Sequence, residues 1–192
     1  MSTFLSKIHF QLYEKIKYQE HLNDILSKLL LQKDVNIDSF EDIVLPKGNL
    51  EDVIDHEQIH GWLQMQIKMV EHRYSLLLDR VQEAKLDNSA MNVLRQEGTH
   101  ASKNLAMQNT LEAFQHLQIY LLNGMPCDRG ITLLQKDEHM LVFQCNLNVH
   151  ETITDIAFYM KLRLAWIQGF LQSENMNASL INQDSIAIIK EK

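Results

Sequence analysis

Two groups of residues have types and spacings that could do chemistry. The first is His56-Glu57-Gln58-Ile59-His60. On a helix, two imidazoles four residues apart share one face and can hold a metal, while Glu57 between them aims at a bound water as general base. A zinc peptidase needs a third protein ligand. Glu71 and His72 lie about 16 to 18 Å further along the same axis, too far to reach that ion. The third ligand would therefore come from a neighbouring helix carrying His100, Glu112 or His116. Zinc or iron is the ion such a site takes. The plainer reading needs no cofactor: His56 and His60 are surface or capping groups at a helix start, where Asp55 and Glu57 complement the positive end of the dipole. Nine histidines in 192 residues make such groupings easy to find, which favours the plainer reading.

The second group is Cys127, Cys145 and His150, the predicted catalytic residues. Cys127 follows the helix stop Asn123-Gly124-Met125-Pro126 and falls on a turn, and Cys145 ends a strand-like run with His150 close behind it. An imidazole beside a thiol lowers its pKa and makes a nucleophile. A strand cysteine without such a neighbour is a small core residue.

The elements that must position these groups follow from apolar spacing. Leu5, Ile8, Leu12, Ile16, Leu22, Leu26 and Leu29 recur at three, four and seven, predicting a first helix to about Lys33. Residues 34–52 lose that period and contain Pro46 and Gly48. They predict a connector laid on the bundle through Phe40, Ile43 and Leu45, either as a lid or as a wrapped loop. A second helix is predicted over residues 55–84, and a third region over 90–122 with a break at Gly98-Thr99. Then the period changes. Ile131 to Leu134 and Met140 to Cys145 flank a polar turn and predict an antiparallel hairpin. Residues 156–171 return to helix, and the end alternates as a last strand or hairpin. The fold class is α+β with helix predominant: long N-terminal helices as a bundle or hairpin over residues 1–124, and a small antiparallel sheet with one packed helix over residues 125–192.

Composition sets the outer bounds. Apolar residues at 45% and charged residues at 22% are those of an ordinary folded chain. A net charge of -7 repels a phosphate backbone, so nucleic acid is not an expected partner. No apolar run approaches a membrane span, and the first residues lack a signal-like apolar core. The membrane is therefore not an expected partner, and the cytoplasm is the expected compartment. Two cysteines are too few for a disulfide framework.

From Cys127 onward, the order of Cys145-bearing strand, amphipathic helix ending in Gly169-Phe170, and the run NASLINQDSIAI resembles the C-terminal part of L-2-amino-thiazoline-4-carboxylic acid hydrolase-like proteins. The likeness is one of layout. Where that family tends to hold a Gly-Asp and Cys-Asp cluster in its final strand, this chain has Gln183-Asp184-Ser185 and no terminal cysteine. The resemblance implies an α+β protein that handles small molecules, as a hydrolase of carbon–nitrogen or carbon–sulfur rings. Three functional readings thus stand side by side. One is a small-molecule-binding, hydrolase-like protein of unknown substrate, another is a metal-binding bundle built on His56 and His60, and the third is a non-catalytic helical interaction protein, for instance a homodimer.

Overall fold

The computed structural model describes residues 4–37, 43–137 and 139–190. Two helices of 25 residues, α1 (Lys7–Leu31) and α3 (Ile59–Glu83), form its long axis, each spanning roughly 37 Å. Their facing stripes bury Leu12, Ile16, Leu26 and Leu30 against Leu63, Ile67, Val70 and Leu77. Polar groups fix the register: Asn23 donates to the Val70 carbonyl (3.0 Å), and buried Arg73 reaches Glu20 (2.5 Å) and Asp24 (3.2 Å). Between them lie the connector and a single turn, α2 (Leu50–Val53). Leu45 is buried and Ile43 packs on the core, as predicted, while Phe40 lies outside the described residues.

The second predicted helix begins later than its pattern suggests. Asp55 accepts hydrogen bonds from the backbone of Glu57 (2.8 Å) and Gln58 (3.2 Å), and this side-chain turn keeps residues 55–58 out of the helix, which opens at Ile59. The third region differs in the opposite sense. Helix α4 (Asp87–Ser102) runs unbroken through Gly98, and the break falls after it, before α5 (Thr110–Tyr120) with Asn109 as cap. The glycine has a tertiary cause. A Cβ at Gly98 would lie 2.0 Å from the Trp166 carbonyl oxygen, and one at Gly169 would lie 1.9 Å from that of Arg95. The two glycines let α4 cross α6 (Ile156–Leu171) backbone to backbone.

The hairpin of β1 (Ile131–Lys136) and β2 (Met140–Cys145) joins a second hairpin, β3 (Met176–Leu180) and β4 (Ser185–Lys190). The result is one antiparallel sheet in the order β1-β2-β4-β3. Its inner face, with Leu141, Phe143, Ile186 and Ile188 fully buried, covers α5 and α6, and Phe143 meets Phe114 at 5.2 Å between ring centres. One hydrophobic cluster runs from α1 and α3 through α4 and α6 into the sheet. A smaller one joins the N-terminal halves of α1 and α3 to Leu122 and Met125. The fold is therefore α+β with helix predominant. Among the described residues no helix is long and apolar enough to cross a membrane.

Candidate functional site

The smaller cluster borders a groove of about 590 Å³ between α1 and the end of α5 with the loop that follows it. Helix α1 presents Ile8, Gln11, Leu12 and Lys15, spaced at three, four and seven, as one wall. The opposite wall is Gln118, Ile119, Met125, Pro126, Arg129 and Ile131. That loop is pinned from within. Asp128 accepts from the Met125 backbone (2.8 Å), and Asn146 N–H donates to the Gly130 carbonyl (2.9 Å). Gly130 packs so close to Asn123 that a Cβ would lie 1.9 Å from its carbonyl oxygen.

Side chains with hydrogen-bond donors line this groove. Lys15 is half-buried and Arg129 exposed, and among the described residues neither has an ion-pair or hydrogen-bond partner; Gln118 Nε2 is buried and equally unpartnered. Among the described residues the single acid in the lining, Glu14, is already paired with Lys17 at 2.5 Å. Burial, and then the nearby Arg163 guanidinium, lower the pKa of Lys15. With apolar walls and a volume in the range of ligand pockets, the groove suits an organic anion.

Behind the groove runs a buried polar chain. Arg163 Nη1 donates to the Leu122 carbonyl (3.2 Å) and to Tyr159 Oη (2.7 Å), and its Nη2 donates to Asn123 Oδ1. Tyr159 in turn faces His150 Nε2 at 3.5 Å, and His150 Nδ1 meets Glu71 Oε1 at 2.6 Å. The donors all point one way, from guanidinium through phenol and imidazole to carboxylate, so the two charged ends compensate. Burial pushes the Tyr159 phenol up to about 12 in spite of Arg163. Burial also works against the Arg163 charge, but Tyr159, Cys145 and Glu71 outweigh it and raise its pKa. The far end, Glu71, lines a second, polar cleft of about 300 Å³ in which Lys68 and Glu151 are paired at 2.6 Å.

The three predicted catalytic residues fall in three environments. Cys127 is exposed on a single 3₁₀ turn (Pro126–Asp128) with its thiol toward Asp128 (3.6 Å). Cys145 is buried at the end of β2, where burial pushes its thiol pKa up. His150 is buried and gives its ring nitrogens to Glu71 and Tyr159. The expected Cys–His pair is thus not formed by hydrogen bonding: the imidazole is committed to a carboxylate and a phenol.

The predicted metal residues do not share a helix face either. His56 lies before the first turn of α3 and points to the Glu51 carbonyl (3.0 Å), Glu57 is exposed, and His60 turns instead to His9 of α1, Nε2 to Nε2 at 3.1 Å. The Ser6 backbone N–H donates to His9 Nδ1 (3.0 Å), so the proton of neutral His9 sits on Nε2 and is donated to His60. A metal at His60 Nε2 would compete with His9 for the same lone pair. Among the described residues no three His, Cys, Asp or Glu side chains are grouped to hold an ion.

The histidine pair sets a pH dependence. Burial, and then His60, lower the pKa of His9 below its ordinary 6.5. Unfolded His9 therefore binds its proton first, and the contribution of neutral His9 to stability is present above about 6.5 and lost as pH falls through the folded value. His21 has the opposite sign, because its hydrogen bond to Glu97 raises its pKa. The difference in melting temperature between wild type and His9→Gln should accordingly shrink from pH 7.5 to pH 5, cancelling what the two proteins share. A difference constant with pH would refute the coupling.

Sequence reasoning missed Lys15, Arg129, Glu71, Tyr159 and Arg163. For Arg163 and Glu71 a signal was present, since each interrupts an apolar helical stripe, Arg163 between Tyr159 and Trp166 and Glu71 between Val70 and Tyr74. For Lys15 there was none. No family model, curated protein or solved structure matches the chain, so the meaning of the site rests on its own residues.

Proposed function

We propose that this protein binds a small organic anion, a carboxylate with an apolar body, in the groove between α1 and the loop after α5. The observation that carries this reading is a half-buried Lys15 set across from Arg129, neither of which has an acid partner among the described residues. Donors held in one concave place, in a chain of net charge -7, leave the acceptor to come from outside. The apolar walls give the rest of the molecule its place: Ile8 and Ile119, 47% and 59% exposed, are large side chains left open at the groove. Binding is favoured over thiol-based ring hydrolysis because the Cys145 thiol is buried and disfavoured as thiolate, and because His150 is committed elsewhere.

Octanoate is a suitable probe. Titration followed by calorimetry and amide shifts should place it among residues 8–15 and 118–131. Octanamide, or octanoate with Lys15→Met, should bind about tenfold to a hundredfold more weakly, the loss of one charge-assisted hydrogen bond. Equal affinity for octanoate and octanamide, or shifts centred elsewhere, would sink the proposal.

A further inference from the structure

We infer that the polar cleft beyond Gly124 and Met125 is a second binding site, one that takes a small primary ammonium on the free oxygen of Glu71. Gly124 and Met125 line both this cleft of about 300 Å³ and the groove, so the two sites share a wall, but nothing in the cleft depends on what the groove holds.

A buried carboxylate normally has both oxygens engaged, and Glu71 has one. Its Oε1 meets His150 Nδ1 at 2.6 Å. Its Oε2 has no hydrogen-bond or ion-pair partner among the described residues, and it keeps some accessible surface although the residue as a whole is buried. Because Glu71 lines the cleft, that surface opens there. The imidazole brings Glu71 an N–H and no charge, since its Nε2 faces the Tyr159 hydroxyl, and the balancing Arg163 guanidinium stands behind both groups. The carboxylate thus meets the cleft with no cation beside it.

The rest of the lining favours a cation as well. It holds two more carboxylates, Asp128 and Glu151, against one ammonium, Lys68. Both of those acids are engaged: Asp128 accepts from the Met125 N–H (2.8 Å) and the Cys127 thiol (3.6 Å), and Glu151 is paired with Lys68 (2.6 Å). Glu71 is the acid left free. A water on Oε2 supplies a hydrogen bond without charge, whereas an ammonium supplies both. A metal ion needs several ligands at once, and among the described residues no three His, Cys, Asp or Glu side chains are grouped to hold one. Ile67 and Val149 give a short alkyl stem an apolar seat.

The experiment titrates butylammonium chloride into the full isotope-labelled chain and follows backbone amides together with the His150 ring. The expected result is a saturable shift over residues 64–71 and 146–151, with the His150 ring nitrogens moving in step. Affinity should be about tenfold or more above that for tetramethylammonium, which has the charge without N–H, and for 1-butanol, which has the stem without the charge. Glu71→Gln leaves His150 a partner but turns the free acceptor into an amide, and should weaken binding about tenfold or more. Gln64→Lys, at an exposed position of the same lining, adds a cation there and should weaken binding likewise, which decides the matter if the Glu71 variant does not fold. Shifts that do not saturate or lie elsewhere, equal affinity for tetramethylammonium, or unchanged affinity in Gln64→Lys would overturn the inference. Octanoate, read at residues 8–15, reports on the groove separately, so either site can fail without the other.

Discussion

Gly169→Ala should lower the melting temperature by roughly 6 to 12 °C, the effect of about 3 kcal/mol in a chain of this size. Helix propensity predicts the reverse, since alanine in a helix interior is about 1 kcal/mol better than glycine. Packing decides, because the new methyl would stand 1.9 Å from the Arg95 carbonyl oxygen and 2.7 Å from its carbon, and both belong to backbone. No side chain can swing aside; α4 and α6 must separate, loosening Trp166 and Phe170, which are buried at 2% and 0% exposure. Thr99, whose hydroxyl donates to the Gly169 carbonyl (3.1 Å), would lose its place as well. Gly98→Ala meets the Trp166 carbonyl from the other side and should behave alike. Thermal melts of both variants check this. A melting temperature within 2 °C of wild type, or above it, would show that the crossing is looser than described.

Glu71→Leu should cost about 3 to 5 kcal/mol, because it strips a buried chain of its only carboxylate while the guanidinium at the other end stays. Glu71 and His150 are nearly inaccessible, at 3% and 2%, and a leucine side chain in place of Glu71 leaves the His150 Nδ1–H without its acceptor. Glu71→Gln keeps an oxygen for His150 Nδ1–H and should cost less, about 1 to 3 kcal/mol. Chemical denaturation at pH 7 separates the two. Equal losses for Leu and Gln would mean that volume and not charge is what Glu71 supplies. A double cycle of Glu71→Gln with His150→Asn should show coupling beyond additivity, as directly bonded residues do.

How much of this was legible in the sequence varies with the range of the interaction involved. The span of α6 and the first hairpin follow from local period and turn residues, and the structure keeps them; the end, read as a last strand or a hairpin, is a hairpin. The start of α3 does not follow, because an apolar stripe is silent about a side-chain turn: Asp55 bonds forward to Glu57 and Gln58 and holds His56 outside the helix. Gly98 was legible as a weak point and misread as a break, since the cost of glycine in a helix is local and its benefit, the approach of Trp166, comes from residues some seventy positions away. The metal and thiol groupings were drawn from neighbours in sequence. The partners their histidines found, His9 for His60 and Glu71 for His150, lie 51 and 79 residues away.

By itself, the sequence determined the helix-predominant α+β class, the first strand pair and the residues available for chemistry, because periodicity of three to four or of two is enforced by backbone geometry over a few residues. The tertiary structure alone decided which of those residues meet. Lys15 and Lys17 are the same amino acid two positions apart on one helix. A rotation of about 200° between them points one to Glu14 and solvent and the other into a groove beside Arg163, a difference that exists only once α5 and its loop have closed over α1.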